Sequence, residues 1–205
     1  TTTGSNVILI VGVGYANGGN VNSVTYGGQA LTQIRTDKNG TAKSTSLWYK
    51  VNPLTGANTV SVTLASSSNF SAGGSVSLTG VDQTSPIDAQ NGTFGTSTSA
   101  SVSVTTVADN SWLIDTVARA GEGTLAVSGG SQTQRWNVRV NSVAHAGGTF
   151  GPQTPAGAKT LSWTLNNSAA WAISAVSVQP FIVPENLWIG VLPILFFMYL
   201  RRKKK

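Results

Sequence analysis

Residues 6–15 read Asn-Val-Ile-Leu-Ile-Val-Gly-Val-Gly-Tyr, apolar at nearly every position and rich in β-branched side chains. That pattern predicts a strand buried on both faces. Residues 21–26 and 30–34 flank Gly27-Gly28-Gln29 and predict a hairpin. The polar stretch 35–43 predicts a loop, residues 44–51 with Trp48 and Tyr49 a strand, and Pro53-Leu54-Thr55-Gly56 a turn. In 58–64, Val60, Val62 and Leu64 alternate with polar residues, so one strand face is buried and one is wet. Residues 74–81 alternate in the same way, and 82–97 predicts a loop.

The second half of the chain repeats the first. Leu-Ile-Val-Gly-Val at 9–13 answers to Leu-Ile-Asp-Thr-Val at 113–117, and 27–34 answers loosely to 129–136. Residues 55–64 answer closely to 156–165, and Ser75-Val-Ser-Leu78 to Ala175-Val-Ser-Val178. The offset falls slowly, from 104 residues at Leu9 and Leu113 to 100 at Ser75 and Ala175, as duplication with small loop deletions would leave it. About ten or eleven strands without an amphipathic helix predict an all-β fold, an antiparallel β-sandwich of jelly-roll or Greek-key type spanning residues 1–180.

The pattern changes at residues 181–205. Residues 187–200 carry no charge and include Leu187, Trp188, Ile189, Leu192, Ile194, Leu195, Phe196, Phe197, Tyr199 and Leu200. A helix of these residues would rise about 21 Å, short of the roughly 30 Å of a bilayer core, unless Phe181, Ile182 and Val183 extend it. Arg201, Arg202, Lys203, Lys204 and Lys205 then form a basic stop. The expectation is a C-terminal hydrophobic helix whose cations stay on the cytoplasmic side, with everything before it outside the cell. Pro184-Glu185, the apolar stretch and the basic cluster together resemble the C-terminal sorting signals of PEP-CTERM proteins and related exosortase or archaeosortase substrates, with Asn186 at the family's usual second proline. An uncut tail anchor and burial against copies in a filament are the other two readings of the segment.

Composition agrees with a surface address. The chain has no cysteine, and it begins with Thr1, as a mature chain would after removal of a signal peptide. The net charge of +6 comes mostly from the last five residues; residues 1–180 hold 8 basic and 6 acidic side chains, so no nucleic-acid footprint is present. Residues 6–15, 24–32 with Thr-Tyr-Gly-Gly-Gln-Ala-Leu, and 78–86 with Thr-Gly-Val-Asp-Gln-Thr-Ser-Pro resemble a β-sandwich module of many secreted microbial proteins. That resemblance implies the fold and carries no activity.

Candidate chemistry is sparse. His145 is the only histidine, and a hydrolase would need it beside a serine and Asp109 or Asp115; a satisfied loop position is the stronger expectation. Asp115 with Glu122, or Asp82 with Asp88, are the carboxylate pairs a glycosidase would use, and solvated or turn-capping roles outweigh that reading. Asp82 and Asp88 are also the weak candidates for calcium. Among Trp48, Trp112, Trp136, Trp163 and Trp171, the polar neighbours of Trp136 make it, with Arg135, the best candidate for a sugar-stacking platform. Val7, Ile8, Leu9, Ile10 and Val11 need cover on both faces, from the chain's own loops or from a neighbouring subunit by strand addition. The expectation is a non-catalytic cell-surface structural protein without cofactor, self-assembling into a filament or coat and held by its C-terminal segment. The alternative is a membrane-anchored adhesin or a module that binds surface glycans.

Overall fold

The structure, a computed structural model, describes residues 1–16, 19–65 and 70–182. The first half forms β1 (Ile8–Ala16), β2 (Val21–Tyr26), β3 (Gln29–Ala30), β4 (Thr32–Asn39), β5 (Lys43–Val51), β6 (Val60–Leu64) and β7 (Ser71–Leu78). The second half forms β8 (Ile87–Thr105), β9 (Ser111–Ala120), β10 (Leu125–Val127), β11 (Thr133–Val140), β12 (Val143–Gln153) and β13 (Ala158–Val178). Every ladder between these strands is antiparallel. The expected C-terminal helix, Pro184, Glu185 and the basic stop lie outside the described residues. Among the described residues no helix is long and apolar enough to cross a membrane.

The strands make one sheet in the order β4-β5-β1-β7, a larger one in the order β10-β13-β9-β12-β11 with β8 on β13, and a small one in the order β3-β2-β6. β1 explains how they stack. Its Leu9, Val11, Val13 and Tyr15 share a core cluster with Val21, Val24 and Tyr26 of the small sheet. Successive side chains alternate faces, so Ile8 and Ile10 point the other way, into a cluster with Leu47, Ile114, Val176 and Val178 of the two main sheets. Val7, Ile8, Leu9, Ile10 and Val11 are all buried, at roughly 1.5–3 kcal/mol for each large aliphatic side chain. The chain's own sheets supply this cover, with no neighbouring subunit required.

The pairing pattern occurs twice. Ile10 on β1 stands between Tyr49 on β5 and Val76 on β7, and Ile114 on β9 stands between Thr149 on β12 and Val176 on β13. The β4/β5 ladder is bulged between Gln33 and Arg35, and the β11/β12 ladder between Gln134 and Trp136. Left-handed asparagines, Asn6 at φ 50° and Asn110 at φ 63°, stand just before β1 and β9. The amides of Thr2 and Thr106 donate to the carbonyls of Gly56 and Gly157, both at 3.0 Å.

Two expected loops are largely strand. β4 runs on to Asn39, so only a short turn remains before β5, and β8 begins at Ile87. Both are polar sequences held by ladder hydrogen bonds and by one partly buried face, which a hydrophobic pattern does not register. The halves also differ in one respect. Where the first half has separate strands β6 and β7, the second has the single 21-residue β13, and β8 follows it for nearly its whole length.

Candidate functional site

The two main sheets meet along a seam that starts with glycine. A Cβ at Gly12 would meet Thr116 of β9 and the Trp136 ring, and one at Gly14 would meet His145 of β12. The missing side chains let the sheets close around a polar pair. His145 is fully buried, in strand rather than in the expected loop. The Trp136 indole N–H donates to His145 Nδ1 at 3.2 Å, so the neutral ring carries its proton on Nε2, which donates to Thr116 Oγ1 at 2.5 Å. Burial lowers the His145 pKa from 6.5 to about 3 and keeps the ring neutral.

Asp115 neighbours Thr116 on β9 and therefore projects from the opposite face, into the core cluster of the second half. Its Oδ1 accepts the Gly148 amide at 2.7 Å, and its Oδ2 accepts the Trp163 indole N–H at 2.6 Å and the Gln132 side-chain amide at 3.0 Å. Complete burial outweighs these three donors and pushes the carboxyl up to about 7. His145 and Asp115 are therefore back to back across β9. The hydroxyl-imidazole pair of Thr116 and His145 has no exposed surface through which a substrate could reach it.

The other acids serve the backbone. Asp82 Oδ1 accepts the amides of Thr84 and Ser85 at 2.8 and 2.9 Å, which lower its pKa. Asp88 Oδ2 accepts from the amides of Val107 and Ala108 and from the Ser111 hydroxyl. The two carboxylates cap different turns instead of converging on a cation, and no group of three or more His, Cys, Asp or Glu suited to a metal occurs among the described residues. Asp109 accepts the Ala156 amide, while Glu122 is exposed and Asp115 is not, so those two do not form a pair across a cleft.

The aromatic residues correct the platform expectation. Trp136 is half-buried, its ring lying over Gly12, Gly74 and Gly147, so the glycines on three strands convert a residue with polar neighbours into an inward one. Arg135 sits in the bulge, exposed, with its Nε–H donating to Thr149 Oγ1 at 2.7 Å. Trp48, Trp163 and Trp171 are buried. Phe70, Phe94 and Phe181 are exposed, and Phe94, 57% accessible, stands beside a polar cleft of about 660 Å³ that Gln33, Thr36, Asp37, Lys38, Asn20 and Asn22 help to line.

An apolar groove of about 340 Å³ opens in the first half between the small sheet and its neighbour. Val11 and Val13 form its floor, Val60 and Val62 one wall, and the run Gly73-Gly74-Ser75 the other. The residue pattern did not reveal this groove, although Val62 standing where the second half has Trp163 was a visible sign of space. No family model, curated protein or solved structure matches the chain.

Proposed function

We propose that the protein is a non-catalytic structural subunit of an extracellular filament or coat, built as two related β-sandwich halves that arose by internal duplication. One observation carries the reading. The side chains with the most chemical capacity, His145 and Asp115, are buried on opposite faces of β9 and have their polar atoms bonded to the fold. Polar groups placed this way stabilise and register packed sheets, since an unmet buried donor or acceptor costs about 1–3 kcal/mol. The uncharged stretch 187–200 and the cations after it add a segment suited to anchoring or assembly. Negative-stain microscopy of the full chain beside one ending at Pro180 tests the proposal. Filaments or sheets lost on truncation support it, and dispersed particles in both samples overturn it.

The adhesin reading is favoured by the Phe94 cleft, where an exposed ring stands beside amide and hydroxyl groups of the kind that bind sugars. It moves the candidate ligand surface away from Trp136. A glycan array probed with wild type and Phe94→Ala separates the two, because a structural subunit binds nothing that this substitution removes.

A further inference from the structure

β8 has no counterpart on the described part of the first half. In the second half it lies along β13, pairing residues 99–105 with 164–158 and residues 87–97 with 178–169. Its Ala100, Val102 and Val104 are buried in the core cluster that contains Leu161, Trp163 and Leu165. The corresponding residues of the first half, Val60, Val62 and Leu64 on β6, are only partly buried. Among the described residues β6 pairs only with β2 and β7 only with β1, so each presents an unpaired outer edge. The apolar groove lies between these two edges. Unpaired backbone donors and acceptors bordering an apolar trough are the physical requirements for an added strand.

We propose that this groove is an acceptor site for an extended strand from another polypeptide, uncharged and with aliphatic residues at every second position. The inference deepens the structural-subunit reading and rests on it for the source of the strand. Its chemistry follows from the lining, which carries no charge, and from β8, whose Ala-Ser-Val-Ser-Val run at 100–104 does the same work in the other half. Size follows as well. Ala100 stands opposite Trp163, whereas the first half offers the smaller Val62 there, and it has Gly73 where the repeat gives Ile173. The added strand therefore accommodates a larger aliphatic residue at that register than β8 carries.

The test uses hydrogen-deuterium exchange of the full chain with an excess of a synthetic peptide copying residues 97–106, Ser-Thr-Ser-Ala-Ser-Val-Ser-Val-Thr-Thr. Amides of β6, the counterpart of the β13 residues that 99–105 pair with, are expected to slow at least about tenfold while those of the second half are unchanged. The peptide carrying A100L is expected to bind roughly tenfold tighter, because its added methylenes fill space beside Val62. A peptide with Val102→Pro, unable to complete the ladder, is expected to lose the effect. Val62→Trp, which recreates the Trp163–Ala100 pairing of the second half, is expected to keep the unsubstituted peptide bound and to exclude the A100L peptide. Unchanged exchange, or slowing spread over both halves, overturns the site. Protection of β6 present without peptide and released on dilution supports it, with a second copy of the chain as the donor. Filaments without peptide binding sink the groove alone, and peptide binding without filaments sinks the structural-subunit reading alone.

Discussion

The Trp163 indole N–H points at Asp115 Oδ2 from 2.6 Å, beside a cluster of aliphatic side chains and Trp171. Asp115 has a folded pKa near 7 against an ordinary value of 3.8, so folding favours the protonated acid. The stability this contributes is fully present below the ordinary value and is lost as pH rises toward about 7. Urea unfolding between about pH 4 and about pH 8 should show that decline. Trp163→Phe removes a donor to the carboxylate, so it should lower stability by about 1–3 kcal/mol and extend the decline to higher pH. A variant profile that parallels wild type would refute the coupling.

His145 has the opposite sign. Its folded pKa lies far below its ordinary 6.5, so its contribution is present above that value and is lost as pH falls toward about 3. Being the only histidine, its ring carbon-bound protons can be followed without assignment. They should not shift between about pH 8 and about pH 5, where a solvated imidazole would have titrated. Titration near the ordinary value would mean the seam is open.

These two groups show where sequence reading stops. Strands with alternating or continuous apolar residues, such as β1 and β6, were legible because burial writes itself into residue type. The Ser, Thr, Gly and Asn of β8 were not, since an edge strand gains its stability from ladder bonds and shows only every second residue to the core. Asp115 read as a solvated or turn-capping acid because nothing near it in sequence announces its donors, which come from Gln132, Gly148 and Trp163. The same limit applied to Trp136, whose cover is made by Gly12, Gly74 and Gly147 on three other strands. The matching segments were legible as order and offset, and the structure adds matching ladder bulges between Gln33 and Arg35 and between Gln134 and Trp136.

Glycine at these contacts should be hard to replace. Gly74→Ala would drive a methyl group into the Trp136 ring and should cost about 1–3 kcal/mol. Trp136→Ala should cost about 2–4 kcal/mol by leaving a cavity and an unpartnered His145 nitrogen. Adding Trp136→Ala to Gly74→Ala should cost less than the sum of the two, which a double-mutant cycle of denaturation midpoints would measure. Strict additivity would place the ring elsewhere.

Asp88 should behave as a cap. Asp88→Ala leaves the Val107 and Ala108 amides and the Ser111 hydroxyl without their shared acceptor and should lower stability by about 1–3 kcal/mol. A calcium chelator should leave the melting temperature of wild type unchanged. A fall on chelation, restored by calcium and absent in Asp88→Ala, would return these acids to the role of ligands.

The continuity of β13 has a mechanical consequence. Over its C-terminal half it is flanked by β8 on one side and β9 on the other, and it ends two residues before Pro180. A pull applied at Pro180 therefore enters a strand that can slide only by shearing two antiparallel ladders at once. Among the described residues β7, its counterpart, is hydrogen-bonded to β1 alone, so its ladder could be peeled away one pair at a time. If the chain is tethered through residues 181–205, its stronger half is the one that takes the strain.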